Sequence, residues 1–120
     1  MIDKLEQNLR FQSEALRLRS MRQETIAANI VNGETPGYKA KDFDFAKALQ
    51  DAVAGPASSS GAGSPAPATF ERPSWQPSLD GNTVDMDTER GRFADNALRY
   101  EAALRSLNQQ IRTLLSAIQG

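Results

Sequence analysis

The side chains that could do chemistry in this 120-residue chain are carboxylates and lysines, because the sequence has no histidine and no cysteine. Their absence removes disulfides, thiolate and imidazole metal ligands, and the Ser-His and Cys-His nucleophile pairs. Asp80, Asp85 and Asp87 form one set that could act as acid and base. Such a set needs a pocket, which long paired helices seldom supply. We therefore expect no enzyme, no cofactor, no metal and no small-molecule substrate, with a carboxylate enzyme as a minor alternative.

The segment 80–91 has the spacing of acidic residues that invites comparison with a calcium-binding loop. An EF-hand register that starts at Asp80 would place Val84 at the fifth position and Gly91 where the bidentate glutamate belongs. The pattern therefore fails. The same residues fit a polar turn followed by a helix cap within 83–85, with acidic side chains near the positive end of the helix dipole.

Charge and hydropathy exclude further classes. The 14 basic residues are balanced by 15 acidic ones, which argues against a general electrostatic grip on nucleic acid or anionic lipid, and against helix-turn-helix DNA binding. The mean hydropathy is −0.53, and no apolar run approaches the roughly 20 residues of a membrane span. Charged residues within 1–6 interrupt the place where a secretory signal has its apolar core, so we expect export, if any, without a cleaved signal peptide.

The last third of the chain carries the strongest positioning pattern. From 86 to 118, apolar residues recur in alternating steps of four and three, interrupted only at Arg90. This heptad repeat keeps one narrow stripe facing a partner helix along its whole length. The stripe consists of Met86, Arg90, Phe93, Ala97, Tyr100, Leu104, Leu107, Ile111, Leu114 and Ile118.

The first helix is predicted to begin at Asp3, which forms a capping box with Glu6, and to run to about Asn32. A second apolar stripe beside its heptad positions indicates contact with more than one neighbour. A subunit inside an assembly and a wide face of one intramolecular core fit this pattern equally well. The heptad positions are Ile2, Leu5, Leu9, Gln12, Leu16, Arg19, Gln23, Ile26 and Ile30, and the second stripe is Phe11, Ala15, Leu18 and Met21.

The middle of the chain is predicted to contain a short helix and a connector. Asp42 or Asp44 can cap a helix over residues 45–53, in which apolar side chains recur every four residues. Residues 54–79 are rich in Pro, Ser, Gly and Ala, which predicts a flexible connector. Its Phe70 and Trp75 either contact a partner or cover the nearby coil.

The predicted architecture is therefore all-α. Long N- and C-terminal helices pair as an antiparallel coiled coil, with the short helix beside them and the connector between. Residues 1–53 carry the first helix, a turn and the short helix, and residues 80–120 carry the heptad helix. We expect the two ends to form one helical domain.

The end of the first helix carries a signature. Residues 27–39 read Ala-Ala-Asn-Ile-Val-Asn-Gly-Glu-Thr-Pro-Gly-Tyr-Lys. This resembles the A-x-N-I/L-A-N-x-x-T-P-G-Y-K signature of the rod, hook and filament-axis proteins of the bacterial flagellum, with Val31 in place of the usual alanine. Its asparagines can bond main-chain groups where the helix unwinds, and its aromatic side chain could contact a neighbour. The signature residues are Asn29, Asn32, Thr35, Pro36, Gly37 and Tyr38.

The short length, the continuation over 39–45 and the segment 80–85 are similar to the proximal rod members of that family. The resemblance implies a structural subunit that is exported by the flagellar type III apparatus and polymerises into the torque-transmitting rod in the periplasmic space. The implied partners are other rod proteins, further copies of itself, the basal-body adaptor and membrane ring, and the export apparatus. It also implies an isolated monomer with low or fluctuating helicity, and Phe11 with Ala15 as a segment that the export gate could read.

The main alternative is a cytoplasmic coiled-coil adaptor or export chaperone that holds a client on the same apolar stripes. This alternative explains the two long helices but not the Thr-Pro-Gly-Tyr signature. Whether the heptad seam pairs within one subunit or between subunits stays open at this point.

Overall fold

The computed structural model describes residues 2–54, 67–72 and 79–120. Three helices dominate: α1 over Ile2–Val31, α2 over Phe45–Ala54 and α3 over Met86–Gln119. The three predicted helices are thus confirmed, and α1 begins and ends within one residue of its predicted bounds. The expectations for Trp75 and for most of the connector fall outside the described residues.

The helix caps follow the local sequence. Asp85 is the N-cap of α3, and its Oδ1 accepts a hydrogen bond from the Thr88 backbone N–H at 3.3 Å. The hydrogen bonds from Thr88 lower the pKa of the Asp85 carboxyl, since they favour its charged form. Of the two cap candidates for α2, the structure selects Asp44, whose Oδ1 accepts from the Lys47 N–H at 3.2 Å.

A small antiparallel sheet joins the turn after α1 to the predicted connector. β1 is Lys41–Asp42 and β2 is Phe70–Glu71, with Lys41 opposite Glu71 and Asp42 opposite Phe70. The sequence analysis predicted no strand. Two-residue strands are too short to leave an alternating pattern, so the all-α prediction holds only as a mostly helical fold.

The core lies where α2 packs beside α1. Its buried apolar residues are few, and α2 is held by polar contacts as well. An Arg10 guanidinium nitrogen donates to Ala52 O at 3.3 Å, and the Arg19 guanidinium carbon lies 4.0 Å from the centre of the Phe45 ring. The buried apolar residues are Leu18, Ile26, Ala40, Phe43 and Ala52.

α1 and α3 lie against each other over most of their length. Asn29 bonds to Glu89, the middle of α1 bonds to Asn96, and Gln12 bonds to Gln110. Residue numbers therefore fall along α1 as they rise along α3. Within the described ranges, no helix combines the length and hydropathy needed to cross a membrane, and no set of acidic residues is arranged to hold a metal ion.

Candidate functional site: a polar junction and two helix seams

The signature residues lie at one end of the helix pair, which we call the junction: residues 29–42, 70–72 and 79–92. Here the C-terminal end of α1, the turn after it, the small sheet and the first turns of α3 come together. Many hydrogen bonds and several ion pairs join these segments. The junction is therefore held together by hydrogen bonds and ion pairs.

Asn29 is the centre of the junction and is fully buried. Its Nδ2 donates to Lys41 O at 2.8 Å and to Glu89 Oε2 at 3.2 Å. Its Oδ1 accepts from the Lys41 N–H at 3.0 Å and from the Tyr38 hydroxyl at 3.1 Å. Both donor hydrogens and both acceptor positions are thus used, which is the full capacity of an amide side chain. One residue ties α1 to the turn, to β1 and to α3.

Asn82, in the segment before α3, connects that segment to the chain that follows α1. Its Nδ2 lies 3.0 Å from Asn32 O, 3.2 Å from Gly33 O and 2.7 Å from Thr35 O. These carbonyls belong to the residues that follow α1, and two of them, Asn32 O and Thr35 O, also accept the N–H groups of Thr35 and Tyr38. The Asn82 Oδ1 in turn accepts from the Val84 N–H at 2.7 Å. The chain before α3 therefore caps the end of α1.

The Thr-Pro-Gly-Tyr turn contacts the same segment through its backbone. The Gly37 N–H donates to Asp80 O at 2.8 Å, and the Thr83 N–H donates to Tyr38 O at 3.0 Å. Gly37 has φ +73° and Gly81 has φ +78°, the left-handed region that favours glycine. Two backbone hydrogen bonds thus join the Thr-Pro-Gly-Tyr turn to the segment before α3, and the sequence analysis had identified both segments.

The remaining signature residues act locally. Asn32 Nδ2 donates to Ala28 O at 2.8 Å, and the Thr35 hydroxyl donates to Asn32 Oδ1 at 3.1 Å. Pro36 is exposed, whereas Tyr38 is half-buried. Burial, with a smaller effect from the charge of Glu89, raises the pKa of the Tyr38 phenol. The hydroxyl of Tyr38 is thus bonded inside the chain, and the suggestion that its aromatic side chain contacts a neighbour stays a prediction.

A cluster of ion pairs lies beside Asn29. Asp42 Oδ2 is 3.4 Å from Arg22, 3.1 Å from Arg72 and 3.4 Å from Arg92, and Arg72 also pairs with Glu89. Sequence analysis missed this cluster, and it missed the capping role of Asn82. The charges come from segments far apart in the chain, and only the fold brings them together.

The face of α3 that meets α1 is a heptad stripe, which we call the inner seam. Glu89, Asn96 and Gln110 hydrogen-bond to α1 and recur at multiples of seven residues. Three or four residues from these are apolar side chains of the predicted seam. The inner seam comprises Glu89, Asn96, Ala103 and Gln110 together with Phe93, Tyr100, Leu107 and Leu114.

Asn96 holds the middle of the helix pair. Its Nδ2 donates to Arg19 O at 2.9 Å and to Gln23 Oε1 at 2.8 Å. Nearer the chain termini, Gln12 Nε2 donates to Gln110 Oε1 at 2.9 Å. The heptad position of α3 that meets α1 thus carries polar residues, which fix register at some cost in stability.

A second stripe, the outer seam, runs beside the inner one and becomes more exposed toward the end of α3. It comprises Ala97, Leu104, Ile111 and Ile118 with Ala94, Glu101, Asn108 and Leu115, again in steps of three and four. Leu104 is 37% exposed, Ile111 41%, Leu115 50% and Ile118 81%. The predicted seam follows the border between the two: from Phe93 onward its positions alternate between the inner seam and the outer one.

The packing residues predicted on α1 and α3 differ in how far they are buried. Ile26 is buried and Leu9, Leu16 and Ile30 are half-buried, whereas Leu5 is exposed. On α3, Leu107 and Leu114 are half-buried, while the exposed fractions of Phe93 and Tyr100 are 38% and 36%. Burial falls from the junction toward the chain termini, where α1 begins and α3 ends.

Comparison with known proteins places these features in context. Residues 9–39, which include the signature, match the family described as Flagella basal body rod protein. The chain is 44% identical over 136 aligned positions to Flagellar basal body rod protein FlgB of Salmonella typhimurium and 46% identical to that of Escherichia coli. Each alignment covers 100% of this chain and 99% of the relative. The corresponding protein of Cereibacter sphaeroides is 41% identical over 116 positions, covering 90% of this chain and 91% of its own.

Proposed function

This chain belongs to the family of flagellar basal body rod proteins, and on that premise we propose that it is a subunit of the proximal rod that polymerises through its helices. Membership makes it a structural subunit of the flagellar basal body rod. The finer proposal is that the flagellar type III apparatus exports it without a cleaved signal, and that it assembles in the periplasmic space into a torque-transmitting shaft. The proposed partners are its own copies, other rod proteins, and the adaptor and membrane ring at the base.

The outer seam is the observation that carries the polymerisation proposal. It leaves Leu104, Ile111 and Ile118 exposed at heptad spacing along a helix whose other face already meets α1. A heptad stripe of apolar residues is the pattern by which helices pack along one another, so the outer seam fits the helix of a neighbouring subunit. The outer seam is also continuous with the inner one, so a neighbouring subunit's helix would extend an existing helix pair.

We further propose that α1 and α3 form an antiparallel coiled coil that persists in the rod. The order of the hydrogen bonds along the two helices supports this arrangement. The polar inner seam then fixes the register of one subunit, and the apolar outer seam supplies the association between subunits. Many such contacts, each small, would sum to a shaft that resists twisting.

The experiment is complementation of a strain that lacks the gene, with motility and electron microscopy of isolated basal bodies as readouts. Wild-type protein is expected to restore swimming and rods. A Leu104→Gln/Ile111→Gln variant is expected to be present in the cell but to leave basal bodies without a rod, since polar side chains break the outer seam. An Arg105→Gln/Arg112→Gln variant on the same helix is the matched control and is expected to swim.

Rods in the strain that lacks the gene would contradict the rod assignment. Normal swimming of the Leu104→Gln/Ile111→Gln variant would leave the family intact but overturn the outer seam as the assembly surface. Recovery of the wild-type protein only from the cytosol would favour the adaptor or chaperone alternative.

A further inference from the structure

Arg72, which lies within the predicted connector, contacts both sides of the junction. It follows β2, and its backbone N–H donates to Ala40 O at 2.7 Å. One guanidinium nitrogen lies 3.1 Å from Asp42 Oδ2 in β1, and another pairs with Glu89 in the first turns of α3. The side chain is only 15% exposed. A single residue thus touches β1 and α3 at once.

The two carboxylates depend on Arg72 to different degrees. Asp42 keeps Arg22 and Arg92, each at 3.4 Å, if Arg72 is removed. In the part of the chain that the structure describes, Arg72 is the only cation paired with Glu89. Glu89 is 1% exposed, and its other partner is the neutral Asn29 amide at 3.2 Å. Without Arg72, the buried Glu89 carboxylate would therefore have no ion-pair partner among the described residues.

We propose that Arg72 is a latch that makes closure of the junction conditional on residues 67–72 folding back onto β1. A buried charge left without its partner is strongly unfavourable, so a detached latch drives Glu89 toward water. Movement of Glu89 pulls the first turns of α3 away from Asn29, which opens the contacts between the turn and the segment before α3. This device acts within one chain and goes beyond the proposed assembly into a rod.

The test compares amide hydrogen exchange in the full-length wild type, Arg72→Gln, Glu89→Gln and the double variant. The reporters are the Lys41 and Thr83 amides, which donate to Asn29 Oδ1 at 3.0 Å and to Tyr38 O at 3.0 Å. Arg72→Gln is expected to raise their exchange by about 100-fold or more, because it leaves a buried charge unpaired. The double variant is expected to exchange within about tenfold of Glu89→Gln alone, since the charge that needs the latch is gone.

Arg92→Gln is the matched control, because Arg92 also pairs with Asp42 but makes no ion pair with Glu89 among the described residues. Its effect on the two reporter amides is expected to be less than about threefold. Equal effects of Arg72→Gln and Arg92→Gln, or a double variant as exposed as Arg72→Gln, would overturn the latch. If Arg72→Gln does not fold, circular dichroism is used to compare the double variant with Glu89→Gln. A folded double variant supports the latch. An unfolded double variant, when Glu89→Gln alone is folded, refutes the latch.

Discussion

The two ends of the helix pair are built in opposite ways. At the junction, Asn29, Asn82 and Glu89 are buried with their polar atoms paired inside the chain. At the other end, which we call the open end (residues 3–12 and 107–119), Leu5, Ile111 and Ile118 are exposed. The junction therefore specifies a shape that one chain completes by itself. The open end leaves apolar surface exposed, which in the proposed assembly a neighbouring subunit covers.

The largest expected effect is at the centre of the junction. Asn29→Ala would leave the Lys41 N–H and C=O, the Tyr38 hydroxyl and a Glu89 oxygen without their partner. Unpaired buried polar groups cost about 1–3 kcal/mol each, and partial relaxation suggests a total loss of about 3 kcal/mol in free energy of unfolding. Urea denaturation measures it. The open-end control Asn8→Ala should change the free energy of unfolding by less than about 0.5 kcal/mol. A loss below about 1 kcal/mol for Asn29→Ala would contradict the proposed difference between the two ends.

The cap on α1 should be the next most costly feature to remove. Asn82→Ala leaves three carbonyls at the end of α1 without the side-chain amide that now lies 2.7–3.2 Å from them. We expect a loss of about 2 kcal/mol, because turn carbonyls near the surface can recover part of their bonding from water. The same denaturation experiment on Asn108→Ala, an exposed residue of α3, supplies the comparison. Similar losses for the two variants would show that the cap contributes little.

The open end can be made to resemble a conventional apolar pair. Gln12→Leu with Gln110→Leu replaces the hydrogen bond between them, 2.9 Å long, with apolar contact in the inner seam. We expect a gain of about 1 kcal/mol in the isolated chain, since polar residues in a seam trade stability for register. Thermal unfolding measures the gain, and complementation should show poorer swimming as register becomes less specific. A loss of stability would mean that the polar pair is already the better solution.

The smallest expected effect is electrostatic, at the cap of α3. The pKa of Asp85 is lower when folded, so its contribution to stability is present above its unfolded pKa of about 3.9 and disappears as pH falls through the folded value. The difference in melting temperature between wild type and Asp85→Ala should therefore shrink below about pH 4. A difference that is constant from pH 7 to pH 3 would show that the charge plays no part in the cap.

Local rules in the sequence were enough to predict the helices. Cap residues, the Thr-Pro-Gly break and heptad spacing act over a few residues, so the existence of three helices could be predicted, and α1 lies within one residue of its predicted bounds. The family also followed from a local signature. The strands could not be predicted in this way, because two residues are too few to show a period.

The two seams of α3 could not be separated from the sequence. Periodicity identified Leu104 and Leu107 as members of one apolar stripe. It does not show which side of that stripe faces α1. The hydrogen bonds of Asn96 and Gln110 to α1 reveal that side. The latch at Arg72 was equally hidden, since its partners lie 17 and 30 residues away along the chain.

Amide hydrogen exchange of the isolated full-length chain, resolved along the sequence, tests the contrast between the two ends most directly. Low helicity of the isolated monomer remains a prediction. Because the open end is more exposed than the junction, we expect the low helicity at the open end. We expect slow exchange at the junction amides of Lys41 and Thr83, and exchange near the unfolded rate over 3–12 and 107–119. Equal protection of both ends, or an unprotected junction beside a protected open end, would contradict the account.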